Sequence, residues 1–240
     1  MHLAAPRRTG KSTFVIQDLV PALEAQGARV IYIDLWADKT KDPALLMGDA
    51  IRYELHQEAG LIAKMAQKTG LAKFSVGAFG NGLNFDLSLL GLSANATLSD
   101  ALKALSMVHK ATIVLVIDEV QHALTTQDGM NALFALKAAR DSLNLSAHGL
   151  QVIATGSNRD KLALLVNGRD QPFFGATMVD FPTLGIDYIE WICDKAKLRI
   201  NKYEAFTVFQ KAGSRPEMIL PVLRQLRLEQ TAPELLDQLF

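Results

Sequence analysis

Cysteine is nearly absent from this chain of 240 residues, in which Cys193 is the only one. A single thiol excludes an internal disulfide and a cysteine-based metal cluster, and it suits a reducing compartment. An excess of charge is missing as well, because 25 basic residues are balanced by 25 acidic ones. The composition therefore gives no sign of a polybasic protein that binds nucleic acid or a membrane surface.

Long apolar runs and a secretory leader are also missing from the sequence. No stretch approaches the roughly 18 consecutive apolar residues of a membrane span, and the first residues lack the apolar core of a signal peptide. We therefore expect a cytoplasmic protein. With 49% hydrophobic residues, a chain of this length can bury the core of one α/β domain, with or without a small appendage.

A phosphate-binding loop lies near the start of the chain. Gly10, Lys11 and Ser12 complete the pattern G-x-x-x-x-G-K-[ST], with Ala5 in place of its first glycine. In such a loop, backbone N–H groups surround a polyphosphate, the lysine reaches the β- and γ-phosphates, and the hydroxyl reaches Mg²⁺. A helix predicted over residues 11–25 would direct its positive N-terminal end at the phosphates. The residues expected to bind ATP are Pro6, Arg7, Arg8, Thr9, Gly10, Lys11, Ser12 and Thr13.

Because Gly-Lys-Ser-Thr also occurs in ordinary loops, the assignment depends on a second motif. The aliphatic run 113–117 predicts a strand buried on both faces, as a central parallel strand must be. Asp118 and Glu119 follow it. Burying two adjacent acids is costly without a compensating cation, which metal-bound phosphate supplies. Asp118, with Ser12, is the candidate Mg²⁺ ligand, and Glu119 is the candidate catalytic base for water; a solvated acidic pair that opens a loop is the alternative.

Polar residues also follow two other predicted strands. Ser157 and Asn158 come after the buried run 149–155. Either side chain is placed to contact the γ-phosphate or the attacking water, and either could instead cap the helix predicted at 160–166. Asp34 ends an earlier predicted strand, where it is expected to cap the following turn, with a catalytic role as the alternative.

The remaining patterns define the predicted domains. A single helix is predicted over 43–68, and glycine-punctuated residues 73–92 predict an inserted β-hairpin. Only helical patterns occur from residue 184 onward, so residues 1–183 are predicted to form the core and residues 184–240 a helical domain. The first strand has little chain before the loop, which favours a truncated strand in a fragment of a longer protein.

Within the C-terminal region, helices are predicted at about 186–197, 202–210, 215–228 and 233–239. Arg215 opens the third of these helices. Its guanidinium could reach the γ-phosphate of a bound nucleotide from a lid, or the residue could be an exposed helix start.

The two motifs, in this order, resemble the P-loop ATPases of the AAA+/STAND-related group, most of all the archaeal-type and prokaryotic AAA-like ATPases. Their loop G-P-R-R-T-G-K-T is matched by residues 5–12, their I-D-E-x-Q motif by 117–121, and their T-G-S strand end by 155–157. Less specific matches are the P-F-F-G segment at 172–175 and G-S-R-P at 213–216.

The resemblance implies an α/β fold: a parallel sheet in the order 5-1-4-3-2 flanked by helices, with a small all-helical C-terminal lid packed over the nucleotide. It implies a Mg²⁺-dependent ATPase that moves a lid, a partner domain, or a protein or DNA client, with ATP-dependent homo-oligomers as an option. Ala176 stands where such proteins often carry an arginine, which leaves Arg159 and Arg169 as candidate arginine fingers. A nucleotide-gated binding module with negligible turnover and the ATPase part of a DNA-acting protein are the alternatives.

Overall fold

The computed structural model describes residues 1–69, 84–85 and 96–236. The chain divides into two compact units. The first comprises Met1–Ala4 and Phe14–Asp180, and the second comprises Ala5–Thr13 and Phe181–Phe240. The sequence did not indicate that the phosphate-binding loop groups with the C-terminal helices.

A five-stranded parallel sheet lies at the centre of the first unit. The strands of the chain are β1 (His2–Ala4), β2 (Arg29–Asp34), β3 (Asn84–Phe85), β4 (Ala96–Thr97), β5 (Ile113–Asp118), β6 (Leu150–Gly156) and β7 (Met178–Asp180). The sheet has the order β2-β5-β6-β1-β7, and every neighbouring pair is parallel. When its five strands are counted along the chain and read from the β7 edge, the order is 5-1-4-3-2, which confirms the predicted fold.

The interior strand β5 is buried along its whole length. Successive side chains of a strand point to opposite faces of the sheet, and both faces of β5 are covered. Ile113, Leu115 and Ile117 belong to one apolar cluster, whereas Val114 and Val116 belong to another. The continuous aliphatic run is therefore a strand covered on both faces, as the sequence predicted. The acidic pair that follows it lies at the carboxyl edge of the sheet.

The helices are α1 (Lys11–Phe14), α2 (Val20–Ala25), α3 (Pro43–Gln57), α4 (Ala59–Thr69), α5 (Leu98–His109), α6 (Gln127–Ser146), α7 (Arg159–Val166), α8 (Ile186–Lys195), α9 (Lys202–Lys211) and α10 (Pro216–Leu236). A π-helical segment, Val15–Leu19, joins α1 to α2. It ends just before Pro21, whose missing N–H interrupts the regular α-helical bonding. No helix in the described part of the chain has both the length and the apolar character needed to cross a membrane.

Two predicted helix boundaries were wrong. The single helix expected over 43–68 is divided at Glu58, whose backbone has φ −97° and ψ 10° and whose carboxylate lies 3.5 Å from His109 Nε2. The two helices expected over 215–228 and 233–239 are instead one helix, α10, which continues through Pro233. A proline removes one backbone hydrogen bond, but its fixed φ of about −65° is itself helical.

The hairpin predicted over 73–92 lies outside the described residues except for Asn84–Phe85. This short strand, β3, pairs with β4 in antiparallel orientation, and the sequence did not predict β4.

The second unit has an apolar core of its own. Its buried residues are Ile189, Cys193, Leu198, Phe209, Ile219 and Leu223. Cys193, the single cysteine of the sequence, is fully buried in this core, and its burial raises the pKa of its thiol. These helices are the ones predicted to form the lid, and that role stays a prediction.

Candidate functional site

The predicted phosphate-binding loop is curved by two residues in the left-handed region, Arg8 with φ 65° and Gly10 with φ 91°. The Thr9 hydroxyl donates a hydrogen bond to the carbonyl of Pro6 across 3.0 Å and closes the loop. Turns that alternate between right- and left-handed backbone gather their N–H groups into concave anion-binding sites. The loop therefore has a curved backbone, and its binding of phosphate stays a prediction.

Lys11 begins α1 directly after this loop, and its side chain is buried, with 5% of the residue exposed. Lysine is seldom so buried without a negative partner. The neighbouring Ser12 is exposed at the same helix start. A buried ammonium group and an accessible hydroxyl are the two side chains that the motif needs for phosphate and for a Mg²⁺ ion.

Within the second unit, the loop is tied to the first turn of α10, where the Arg8 guanidinium forms an ion pair with the Glu217 carboxylate. Three-quarters of the Arg8 side chain is exposed (74%), so the pair contributes little to stability. Arg215 lies just before α10, is exposed, and accepts a hydrogen bond from Met218 N–H at its carbonyl oxygen (3.0 Å). The structure thus places Arg215 at the start of a helix, and its contact with nucleotide stays a prediction.

In the first unit, Asp118 ends β5 with only 3% of the residue exposed. Its carboxylate is oriented by both neighbouring strands: the Thr155 hydroxyl on β6 donates to Oδ1, and the Tyr32 hydroxyl on β2 donates to Oδ2 across 3.2 Å. The backbone N–H of Glu119 adds a bond to Oδ1 at 3.0 Å. Sequence reasoning missed Tyr32, because its contact depends on how β2 is paired with β5.

Glu119 has a left-handed backbone, with φ 56° and ψ 41°, which is uncommon for a residue with a side chain and often marks a functional site. Its Oε2 accepts hydrogen bonds from the Ser157 hydroxyl at 2.8 Å, from the Ser157 N–H at 3.4 Å, and from Gln121 Nε2. Gln121 Nε2 also donates to Ser157 Oγ across 3.2 Å. We call these three residues, Glu119, Gln121 and Ser157, the glutamate cluster.

A glycine makes room for the glutamate cluster. A Cβ atom added to Gly156 would overlap Gln121 Oε1 and lie 3.0 Å from both terminal carbons of Leu162. The T-G-S segment therefore needs a glycine at this position, because the buried Gln121 side chain lies directly against the Gly156 backbone. The sequence motif contained both residues, but nothing in it indicated that they touch.

The two candidate γ-phosphate sensors have different surroundings. Ser157 contacts Glu119 as described, whereas Asn158 is the N-cap of α7, with its Oδ1 accepting from the N–H of Lys161 at 2.9 Å. Asn158 therefore caps a helix, which was the predicted alternative to a contact with the γ-phosphate or the attacking water. Of the two residues, the structure brings only Ser157 to the acidic pair.

Other candidates are engaged in local structure. Asp34 Oδ1 accepts a hydrogen bond from Trp36 N–H at 2.7 Å, so it caps the turn after β2, as expected. The candidate finger Arg159 forms an ion pair with Asp180 at the end of β7, and Arg169 is exposed.

The candidate Mg²⁺ ligands, Asp118 and Ser12, offer oxygen atoms. Among the described residues, no group of three or more histidines, cysteines or acids could hold a metal ion. Mg²⁺ is usually bound through one or two protein oxygens together with substrate phosphates and water. The carboxylate of Asp118 and the hydroxyl of Ser12 are oxygen donors of this kind, and their binding of one shared Mg²⁺ ion stays a prediction.

A cavity of about 390 Å³ in the first unit lies at the opposite edge of the sheet, beside the amino ends of β1 and β6. His2, Arg140 and Phe173 are among its lining residues. Burial lowers the pKa of His2 to about 4, so its imidazole is neutral near pH 7. This cavity contains no residue of the phosphate-binding loop or of the acidic motif.

Comparison with known proteins identifies the fold. No protein-family model and no curated protein matches the sequence. Among solved structures, the Walker-type ATPase of Pyrococcus abyssi matches all of this chain and 69% of its own, with a TM-score of 0.58 and 17% identity.

Two further solved structures align less well with this chain. A DNA replication initiation factor matches 95% of this chain and 54% of its own, with a TM-score of 0.48 and 13% identity. The Orc1 protein of Aeropyrum pernix, solved in complex with DNA, matches 81% and 42%, with a TM-score of 0.43 and 15% identity. The chain spans only part of each of the three proteins. It has the fold of the Walker-type P-loop ATPases.

Proposed function

We propose that this protein binds ATP together with Mg²⁺ and hydrolyses ATP to ADP and phosphate. The observation that carries the proposal is the acidic pair at the carboxyl edge of the sheet, buried Asp118 and partly buried Glu119, in which each carboxylate has its own set of donors. Asp118 is oriented by hydroxyls from both flanking strands, and Glu119 is held by Ser157 and Gln121. The curvature of the phosphate-binding loop supports the same conclusion.

Each proposed role follows from the chemistry of the side chain. Lys11 binds the β- and γ-phosphates, and Ser12 and Asp118 hold the Mg²⁺ shell. When bound, the ion neutralises charge that develops on the phosphates during transfer. Glu119 orients the attacking water and accepts its proton. Ser157, which contacts Glu119, is the proposed sensor of the γ-phosphate.

A second candidate is a nucleotide-gated binding module with negligible turnover. The glutamate cluster favours it, because three donors already occupy Oε2 of Glu119, the carboxylate that would have to contact the attacking water. ATP would then act through its different contacts in the open and closed states of the protein.

The client of the proposed cycle is a protein or DNA, with ATP-dependent self-association as part of the hypothesis. Because basic and acidic residues are equal in number, this chain has no excess positive charge, on which binding to nucleic-acid phosphates depends. A DNA client would therefore be engaged mainly by chain segments beyond this sequence or by a partner.

Phosphate release under single-turnover conditions tests the proposed activity. With protein in excess over ATP, the wild-type chain is expected to release phosphate in the presence of Mg²⁺, and chelation of the metal should stop the release. Lys11→Ala should abolish both ATP binding and release, because the phosphates lose their buried cation. Lys64→Ala, which changes an exposed lysine of α4, is the matched control.

The outcomes separate the two candidates. Tight ATP binding without phosphate release would contradict hydrolysis and support the gated module. Absence of ATP binding by the wild-type chain would contradict both candidates.

Arg215 is proposed to sense the γ-phosphate from the helical unit. Charge-assisted hydrogen bonds from its guanidinium would reach ATP but have no counterpart in ADP. Arg215→Ala is therefore expected to weaken ATP binding by roughly 1.5–3 kcal/mol, the worth of a hydrogen bond to a charged group. ADP binding should change much less, and titration of both nucleotides into the variant measures the difference.

Arg224→Ala, on the exposed surface of α10, serves as the control for loss of a positive charge. Equal losses for ATP and ADP in Arg215→Ala, or no loss for either, would show that Arg215 only starts a helix.

A further inference from the structure

We propose that Tyr32 is a positioning residue for Asp118: its hydroxyl holds the carboxylate in the orientation that binds Mg²⁺ and so sets the metal affinity of the nucleotide site. The inference rests on the proposed function, since it concerns the role of Asp118 as a metal ligand. Tyr32 does not belong to either of the two sequence motifs.

The pairing of β2 with β5 places Tyr32 within reach of Asp118. Tyr32 lies opposite Val116 in the parallel register of the two strands. Val116 and Asp118 are two residues apart, so their side chains point to the same face of the sheet. A long aromatic side chain on the neighbouring strand can span this diagonal, and the Tyr32 hydroxyl accordingly lies 3.2 Å from Asp118 Oδ2.

The ring of Tyr32 is held by apolar packing. It is partly buried and packs against the cluster that contains Val15, Val30 and Val116, together with the partly buried Leu19. Val15 and Leu19 are the first and last residues of the π-helical segment that follows the phosphate-binding loop in the chain. The hydroxyl therefore has a defined position, because the ring that carries it packs against this apolar cluster.

The phenol can only donate to the carboxylate. An ionised carboxylate can only accept hydrogen bonds, whereas a phenol hydroxyl can donate one. Thr155 donates to the other carboxylate oxygen, Oδ1. The two oxygens of Asp118 are thus oriented by hydroxyls from opposite sides, one on β2 and one on β6.

Groups that orient a metal-binding side chain contribute strongly to metal affinity, and their loss typically lowers it by about 10–100-fold. Tyr32→Phe removes the hydroxyl and keeps the ring that packs against the apolar cluster. The loss of this single donor is expected to raise the metal concentration for half-saturation by about 10-fold, at the lower end of that range.

The test uses Mn²⁺ as a spectroscopic substitute for Mg²⁺ and requires no catalysis. Free Mn²⁺ is measured by electron paramagnetic resonance while it is titrated into the protein with a non-hydrolysable ATP analogue. Nucleotide affinity is measured separately in the presence of a chelator, where Tyr32→Phe is expected to match the wild type. Tyr53→Phe removes a hydroxyl from a tyrosine that is 62% exposed and should change neither quantity.

Thermal unfolding reports whether the variants remain folded, and Tyr32→Leu, which also lacks the hydroxyl, should show the same Mn²⁺ shift as Tyr32→Phe. Unchanged Mn²⁺ binding in both folded variants would overturn the inference and leave the hydroxyl with a structural role. A loss of nucleotide affinity of equal size in the chelator would overturn it as well. If the wild-type chain binds no Mn²⁺ with the nucleotide, the proposed function itself fails, which is a distinguishable result.

Discussion

Replacing Glu119 by glutamine is expected to slow ATP hydrolysis by at least about 10²-fold, the scale of losing a positioned general base, while ATP binding stays close to that of the wild type. The amide has nearly the shape of the carboxylate, and its oxygen can still accept hydrogen bonds from Ser157 and Gln121. It cannot accept a proton from water at neutral pH. Single-turnover phosphate release and nucleotide titration measure the two effects separately.

Glu24→Gln, at an exposed position of α2, controls for the loss of one acidic group. Unchanged single-turnover hydrolysis in Glu119→Gln would remove Glu119 from the mechanism. If the prediction holds, the variant loaded with ATP keeps the protein in its ATP-bound state. Proteins or DNA retained by that variant, and not by the ADP-bound wild type, would then identify the client.

Replacing Gly129 by alanine is expected to lower the free energy of unfolding by about 1–3 kcal/mol, as overpacking typically does. A Cβ atom at this position would overlap the carbonyl oxygen of Ala123 and lie 3.0 Å from two other backbone atoms of that residue. Because the neighbour is backbone, no side-chain rotation can relieve the overlap. Ala123 belongs to the 3₁₀ segment Val120–Thr125, which also carries Gln121, so the change is expected to disturb the glutamate cluster too.

Gly60→Ala is the matched control, because no atom lies within 4 Å of a Cβ added there. Alanine is the better helix former by up to about 1 kcal/mol, so Gly60→Ala should be neutral or slightly stabilising in α4. Chemical denaturation of both variants gives the comparison. A Gly129→Ala protein as stable as the wild type would show that the start of α6 can move away from the 3₁₀ segment.

Local sequence was sufficient for the main parts of the fold. The aliphatic run of β5 predicted a strand covered on both faces, with the acids that follow it at the carboxyl edge of the sheet. The strand order followed from the resemblance to P-loop ATPases, which depends on the loop and the acidic motif. The bounds of β6, Leu150–Gly156, lie within one residue of the predicted run 149–155, because this strand is a short apolar run between turn signals.

Helix ends were harder to predict where two local signals compete. Apolar spacing continues across Glu58, but the chain leaves the helix there, and Pro233 suggested a helix start inside what is one helix, α10. In both places the pattern of apolar residues, or one proline, was consistent with more than one arrangement. Packing against the rest of the protein selects between them, because tertiary contacts contribute most of the stability of a helix.

The contacts that organise the acidic pair were decided by tertiary structure alone. The sequence determined that Asp118 and Glu119 would lie together at a strand end, and it narrowed the neighbouring candidates to Ser157 and Asn158. It held no signal for the bond between Tyr32 and Asp118, which are 86 residues apart. Such bonds depend on strand register and side-chain direction. A pattern of apolar residues shows that a strand is buried, but it does not show which residues of the neighbouring strand lie opposite.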